Sequence, residues 1–240
     1  MKKSISLTLL AAAGLIVFSI ASCGGSNQPQ SGTGITEEAK QVAKANYSYD
    51  EEETPALEYT EKTSTPTAGF KGFPVYTDAR SPDNHYIPSG YMGDYSDVKI
   101  DTACFENPHT GTTCIKITYS NAVSNGARWV GMYWQSPANN WGDRKGGFDL
   151  TGATKLTLWA RGANGGERIE EFKMGGITGL YADSDIAGIG PVLLTTDWQK
   201  YEIDLKGKDL SYISGGFCWG TNIDVNPDGA TFYIDDIKYE

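Results

Sequence analysis

The feature that most constrains the fold is an alternation of apolar and polar residues that runs from residue 73 to residue 240. It comes in runs of four to eight residues, separated by Gly, Asn, Asp and Pro. A period of two places successive side chains on opposite faces of a β-strand, and the separating residues are typical of turns. No apolar pattern of helical period persists for three turns. The sequence therefore predicts an all-β domain, an antiparallel β-sandwich of jelly-roll type.

Ten strands are predicted, at residues 75–77, 98–104, 113–119, 128–135, 155–161, 168–174, 191–194, 200–205, 216–220 and 231–239. Alternation also divides each strand into a buried and an outward face. In residues 128–135 it assigns Val130, Met132 and Trp134 to the core. In residues 155–161 it assigns Leu156 and Leu158 to the core.

Residues 128–142, RWVGMYWQSPANNWG, combine aromatic and amide side chains more densely than other segments. Trp129, Tyr133 and Gln135 share the outward face of the predicted strand. If residues 155–161 lie in the same sheet, Trp159 and Arg161 join them. Aromatic rings cover the apolar C–H face of a pyranose, while amides and guanidinium bind its hydroxyls. The alternative is that a loop covers both tryptophans, which then serve only in packing.

The loop that follows this strand is a second candidate site with a different geometry. Asn139 and Asn140 are either ligand-binding amides or turn formers. Trp141 is a large apolar group in a polar loop, which favours a role in binding. The full set of predicted carbohydrate-binding residues is Trp129, Tyr133, Gln135, Asn139, Asn140, Trp141, Trp159 and Arg161.

The first residues are typical of an export signal. Lys2 and Lys3 precede an apolar run at residues 5–20, which is short for a membrane span of roughly 20 residues. Ile20-Ala21-Ser22-Cys23 looks like a bacterial lipobox, which implies cleavage after residue 22 and a lipid on Cys23; the alternative is an ordinary signal peptide. Gly24 resembles the default sorting pattern for the outer membrane.

Residues 23–72 are predicted to be a flexible acidic linker, and residues 73–240 the folded domain. The linker is poor in branched aliphatic residues and contains the acidic run at residues 50–53, so it buries too little apolar surface to fold alone. The formal net charge of −10 disfavours nucleic acid as a partner. It also gives no attraction to anionic lipid, so membrane association depends on the lipid anchor alone.

The three cysteines after Cys23 are interpreted from the cellular compartment and from their neighbours in the sequence. Cys104 and Cys114 flank a turn-rich segment, and export places them in an oxidising compartment, which favours a disulfide over two free thiols. Cys218 lies in an apolar run and is predicted to be a buried small side chain.

Three segments carry a resemblance to a known group. Residues 152–162 (GATKLTLWARG), 198–205 (WQKYEIDL) and 232–237 (FYIDDI) look like the second half of carbohydrate-binding-module-like jelly rolls of the galactose-binding-like group. The resemblance implies a carbohydrate ligand on a sheet face or in end loops. It also implies a structural Ca2+, for which Asp235 and, as a guess, Asp78 are the expected ligands. The alternative is that Asp235 is an ordinary charged residue of a strand or loop.

Catalytic patterns do not emerge from the sequence. The two histidines, His85 and His109, lie at no recognisable metal spacing, and no nucleophile elbow, Walker loop or dinucleotide fingerprint occurs. The sequence thus predicts a non-catalytic, lipid-anchored envelope protein that binds carbohydrate. A structural or protein-interaction lipoprotein is the alternative, and a glycan-active enzyme, for which acidic residues are abundant, is a third possibility.

Overall fold

The computed structural model of the chain describes residues 69–240. The predicted signal peptide at residues 1–22, the lipidation site at Cys23 and most of the predicted linker lie outside these residues. Within the described part of the chain, no helix is long and apolar enough to cross a membrane. The helical content there is one 3-10 turn, Tyr95–Asp97.

Thirteen strands form the described part of the chain. In chain order they are β1 (Phe73–Tyr76), β2 (Ile87–Gly93), β3 (Val98–Cys104), β4 (Cys114–Tyr119), β5 (Trp129–Gln135), β6 (Lys155–Gly162), β7 (Arg168–Ile169), β8 (Glu171–Gly175), β9 (Ile186–Ile189), β10 (Val192–Leu193), β11 (Gln199–Asp204), β12 (Gly215–Asn222) and β13 (Ala230–Tyr239).

The strands form two sheets that pack face to face, and every strand pair is antiparallel. The six-stranded sheet has the order β11-β6-β13-β4-β3, with β1 also paired to β13. The five-stranded sheet has the order β2-β5-β12-β8-β9, and the short strands β7 and β10 pair separately. The predicted all-β, antiparallel sandwich is confirmed.

The core lies between the two sheets and contains the residues that alternation assigned to it. Val130, Met132 and Trp134 of β5 are buried, as are Leu156 and Leu158 of β6. Both sheets thus contribute one apolar face to a single core, which accounts for most of the driving force for folding.

The sequence did not predict the two strands at the edges of the five-stranded sheet. β2 contains Pro88 and Gly90, and β9 contains Gly188, residue types that weaken a strand signal. Each of these strands pairs with one neighbour only, β5 for β2 and β8 for β9. An edge strand tolerates such residues because one side of its backbone needs no partner in the sheet.

One strand organises the six-stranded sheet. β13 pairs with β6 along one edge, whereas its other edge pairs with β4 through residues 230–234 and with β1 through residues 237–239. The register shifts between Asp235 and Lys238, and Asp236 adopts a φ of 48°. This irregularity leaves the Asp235 side chain completely buried.

Candidate functional site

The outer face of the five-stranded sheet carries a row of partly polar side chains. Phe172 and Trp219 point into the core, so their neighbours point outward. Pairing aligns Tyr133 of β5 with Cys218 of β12, and Cys218 with Lys173 of β8. A polar and aromatic row therefore crosses the middle of this face.

The next row is built mostly of glycine and forms a channel. Pairing aligns Gly131 with Gly220, and Gly220 with Glu171. A Cβ atom added to Gly220 would meet only the carbonyl oxygen of Val130, at 3.9 Å. Gly220 itself is buried, so the gap above it, which we call the glycine channel, is narrow.

Trp129 forms the aromatic flank of the glycine channel. Its side chain is partly buried and packs with the outward cluster of Met92, Tyr133, Ile177 and Cys218. Its ring atom Cζ3 lies 3.6 Å from the position that a Cβ of Gly131 would occupy. The indole thus lies over Gly131, directly beside the gap above Gly220.

Lys173 and Glu171 form the polar flank. The Lys173 ammonium lies 3.2 Å from a carboxylate oxygen of Glu171 and 5.4 Å from the centre of the Tyr133 ring. The Lys173 side chain is 6% exposed and that of Glu171 is 23% exposed. The channel therefore has an aromatic surface on one side and a compensated pair of hydrogen-bonding charges on the other.

Of the three predicted amide residues, Gln135 and Asn140 have structural roles in the loop after β5. Gln135 and Asn140 are completely buried, and Gln135 Nε2 donates to the carbonyl oxygen of Asn140 at 2.9 Å. Ser89 Oγ donates to Gln135 Oε1 and accepts the backbone N–H of Asn139. These amides build the loop instead of facing a ligand, because a buried polar group must be satisfied internally.

Trp141 and Tyr133 lie where the loop after β5 meets the loop between β8 and β9. Trp141 packs edge-on to Tyr133 at 5.8 Å between ring centres, and Tyr133 OH donates to the carbonyl oxygen of Gly175. Tyr181 N–H donates to the carbonyl oxygen of Gly142, which joins the two loops. Among the described residues, the buried Nε1 of Trp141 has no hydrogen-bond partner. Tyr133 is only 2% exposed, so it supports the site from below.

Asp183 fixes the loop between β8 and β9. Its carboxylate accepts hydrogen bonds from the backbone N–H groups of Ile177, Ser214 and Gly215 and from Ser214 Oγ. Burial raises the pKa of Asp183, although these hydrogen bonds oppose the shift. This carboxylate acts as a loop anchor, with its oxygens already occupied by protein donors.

Trp159 and Arg161 do not join the residues of β5. β6 belongs to the six-stranded sheet, so the predicted common surface with Trp129 is wrong: the two sets lie on opposite sides of the sandwich. His109 stacks on Trp159 with ring centres 3.7 Å apart, and the Arg161 guanidinium lies 3.6 Å from the centre of the Tyr233 ring. Alternation places a residue on a face but does not give the order of strands.

The predicted calcium ligands are used otherwise. Asp78 Oδ1 accepts the backbone N–H groups of Thr112 and Thr113, and Asp235 Oδ2 accepts that of His109. These hydrogen bonds occupy Oδ1 of Asp78 and Oδ2 of Asp235, and the calcium site stays a prediction. Across residues 69–240, no group of three His, Cys, Asp or Glu side chains is placed to hold a metal ion.

The predicted disulfide is not formed in the structure, and its formation in an oxidising compartment stays a prediction. Cys104 and Cys114 are cross-strand partners of β3 and β4, and both are buried free thiols in the structure. Burial, together with nearby Cys104 and Asp235, raises the pKa of Cys114 to about 12. The thiolate that oxidation requires is therefore disfavoured. Cys218 is buried, as predicted, and burial raises its pKa to about 12 as well.

Sequence reasoning did not assign Lys173, Glu171 and Gly220 to a site. Alternation in residues 168–174 assigns Phe172 and Met174 to the core and so places Glu171 and Lys173 on the outward face. The missing information was that β8 lies two strands from β5, with β12 between them.

Two antiparallel sheets in a β-sandwich define the class of this protein, and comparison with solved structures finds carbohydrate-binding modules. A family 30 module matches with a TM-score of 0.48 and 16% identity, over 70% of this chain and 87% of that chain. A family 11 module of a cellulosomal cellulase of Clostridium thermocellum matches with a TM-score of 0.46 and 12% identity, over 72% and 95% of the chains. A family 29 module variant complexed with mannohexaose matches with a TM-score of 0.40 and 10% identity, over 70% and 90%.

No family model matches the sequence, and no curated protein matches it. Similarity at this level does not identify the ligand of this chain.

Proposed function

We propose that this chain is a non-catalytic protein that binds carbohydrate in the glycine channel on the outer face of the five-stranded sheet. The observation that carries the proposal is the gap above the buried Gly220, flanked by the Trp129 indole and by the Lys173–Glu171 pair. A pyranose presents an apolar C–H face and a rim of hydroxyls, and this channel offers a matching surface for each.

The electrostatics favour a neutral sugar at this site. Lys173 and Glu171 compensate each other, so a carboxylate or phosphate on the ligand would gain little net attraction. Hydroxyls can accept from the ammonium and donate to the carboxylate at the same time. One stacking contact contributes on the order of 1 kcal/mol, which leads to an expected affinity in the micromolar to millimolar range.

The test is titration of the purified protein with a panel of neutral and acidic polysaccharides, followed by tryptophan fluorescence and calorimetry. Trp129→Ala is expected to weaken binding by about 5–10-fold, because it removes the stacking surface. Phe105→Ala is the matched control, since Phe105 is an exposed ring at the end of β3 in the other sheet. Absence of binding to every glycan would contradict the proposal.

The proposal includes export and a lipid anchor on Cys23. The support is the lipobox-like Ile20-Ala21-Ser22-Cys23 after a short apolar run. Mass spectrometry of the protein from a bacterial host is expected to show cleavage before Cys23 and an acylated Cys23. Cys23→Ala should release the protein from the membrane fraction, and an unchanged distribution would rule out this anchor.

Docking to a partner protein is the alternative that a specific observation favours. Leu180 is 81% exposed and Ile186 is 43% exposed, in and beside the loop that packs on Trp141. Large exposed apolar side chains are common at protein interfaces. Leu180→Ser with Ile186→Ser would abolish such docking but leave glycan binding in the channel unchanged, so the pair of substitutions distinguishes the two functions.

A further inference from the structure

The outer face of the six-stranded sheet carries a second cluster of aromatic and cationic side chains. Pairing aligns Arg161 of β6 with Tyr233 of β13, and Tyr233 with Lys116 of β4. Trp159 lies on the same face of β6, and Trp198 precedes β11 beside it. The Arg161 guanidinium is 5.2 Å from the centre of the Trp198 ring. This cluster lies on the side of the sandwich opposite to the glycine channel.

Residues 105–113, which we call the covering loop, lie over this cluster and engage each member of it. The Glu106 carboxylate accepts from Lys116 Nζ at 2.7 and 2.9 Å and from Tyr233 OH at 2.6 Å. The carbonyl oxygen of Glu106 accepts from Arg161 Nη2 at 2.8 Å. The carbonyl oxygen of Asn107 accepts from Trp198 Nε1 at 3.0 Å.

The remaining contact between the covering loop and the cluster is made by the His109 ring. The His109 imidazole lies on the Trp159 indole with ring centres 3.7 Å apart and an angle of 17° between the planes. The covering loop therefore presents one carboxylate, two acceptor oxygens and one flat face to the cluster. A sugar ring that bears a carboxylate, such as a uronic acid, presents the same chemical groups.

We propose that the cluster beneath the covering loop is a second ligand-binding site, specific for uronate-containing oligosaccharides, and that the covering loop occupies it as an internal substitute for the ligand. The ligand carboxylate takes the place of Glu106 on Lys116 and Tyr233. Its hydroxyl and ring oxygens take the place of the loop carbonyls on Arg161 and Trp198, and its apolar face takes the place of His109 on Trp159.

Arg161 supplies an independent observation that the loop leaves the site incompletely satisfied. Its side chain is buried, with the residue 9% exposed, and Nε has no hydrogen-bond partner within the described residues. A buried guanidinium N–H without an acceptor costs free energy, and a ligand oxygen beside Arg161 would remove that cost. The covering loop thus occupies the site, but it leaves the Arg161 Nε–H group as a donor that a ligand can use.

The covering loop is placed so that it can be displaced. Phe105 at its start is 76% exposed, and the Glu106 side chain is 58% exposed. Its ends are Cys104 and Cys114, which already face each other across β3 and β4. Displacement of the loop breaks the contacts of His109 and Thr110 with Asp235 and Asp236, but it does not separate the two strands. The inference does not depend on the glycine channel, because the two sites lie on opposite sheets.

The test is a variant in which Asn-Gly replaces residues 105–113, a connection that suits a two-residue hairpin between facing residues. Calorimetry with an oligogalacturonate is expected to show affinity at least about tenfold higher than that of the unmodified chain. A neutral oligosaccharide of equal length should show no such gain. Arg161→Ala in the variant should reverse the gain. A folded variant that shows no gain overturns the proposal.

If the variant with the shortened loop does not fold, point substitutions in the full-length loop test the proposal. Glu106→Gln together with His109→Ala removes the carboxylate and the ring with which the loop occupies the site, while Asp78 still anchors Thr112 and Thr113. An affinity gain of about fivefold for the oligogalacturonate is expected, abolished by Trp159→Ala. Unchanged affinity overturns the proposal. Ser96→Ala, an exposed position outside the cluster, is the matched control.

Discussion

The backbone N–H of Asp94 donates to the carbonyl oxygen of Trp129 at 2.7 Å, which ties the end of β2 to the residue that lines the glycine channel. The buried Asp94 carboxylate in turn accepts the N–H groups of Asn125, Ala127 and Arg128, at 3.1, 2.9 and 2.7 Å. One aspartate thus organises the loop that leads into β5. The position of the Trp129 indole depends on that loop.

Asp94→Ala is expected to destabilise the protein by about 1–3 kcal/mol, because it leaves three partly buried N–H groups without this acceptor. The measurement is the free energy of unfolding in urea. Asp101→Ala is the matched control: Asp101 is exposed and accepts only the N–H of Ala103. If the two substitutions cost the same, Asp94 does not organise the loop.

Gly220→Val should abolish carbohydrate binding while leaving the fold intact. The added side chain fills the glycine channel and meets only the carbonyl oxygen of Val130 near its Cβ, and valine suits a strand. Calorimetry with the best glycan of the panel gives the readout, and thermal unfolding verifies the fold. Gly131→Val makes an instructive comparison, since its Cβ would lie 3.0 Å from the backbone carbonyl oxygen of Trp219, so this variant should lose stability. Undiminished binding by Gly220→Val would remove the channel as the site.

Lys173→Met is expected to weaken carbohydrate binding by about tenfold, since methionine keeps the buried stem but removes the ammonium that donates to sugar hydroxyls. Stability should change little, because Glu171 remains partly exposed and solvent can replace its partner. Glu171→Gln, which keeps a hydrogen-bonding end, should have a smaller effect. Equal affinities for Lys173→Met and the unmodified chain would show that the polar flank makes no contact with the ligand.

Asp235 is expected to make stability depend on pH. Burial, and then the neighbouring Asp236, raise the pKa of Asp235 to about 7, while hydrogen bonds from Asp236, His109 and Thr110 act in the opposite direction. The folded-state pKa lies above the unfolded value of about 3.9. The protonated form is therefore favoured by folding, and the stability it contributes is present at acidic pH and lost as pH rises through 7.

The comparison between the unmodified chain and Asp235→Asn isolates this effect, because the two proteins differ in this carboxyl group alone. Tyr76 and Cys114 also face Asp235 and stay neutral over this range, since burial raises the pKa of Tyr76 well above its usual value and that of Cys114 to about 12. Between pH 5 and pH 8, the unmodified chain should lose about 1–2 kcal/mol relative to Asp235→Asn, allowing for partial screening by solvent. Parallel urea unfolding curves at four pH values provide the check, and a constant difference would place Asp235 outside this equilibrium.

The fold followed from the sequence to a large extent, and the candidate site only in part. Alternation identified the inward residues of β5 and β6 because burial on one face leaves a period-two pattern in the sequence. It also placed Lys173 outward. The order of strands leaves no such pattern, since it depends on which apolar faces meet in three dimensions. For this reason Trp159 was grouped with Trp129, although the two lie on opposite sides of the sandwich.

Burial of polar side chains was the second quantity that local sequence did not reveal. Gln135 and Asn140 have the composition of a sugar site, but Ser89, 46 residues before Gln135, supplies the hydroxyl that satisfies Gln135. A partner so distant along the chain cannot be read from the segment itself. The same holds for Asp235, whose partners come from the covering loop.

The pairing of β13 with three other strands has a consequence for how the chain folds. β13 follows the other strands along the chain, yet β1, β4 and β6 all pair with it. Such a high contact order predicts slow folding, on the millisecond-to-second scale, because distant segments must meet before they gain stabilising contacts. In a partially synthesised chain that lacks β13, the strands β1, β4 and β6 would lack their pairing with it. That delay is compatible with the proposed export, in which the chain would pass through a translocation pore while unfolded.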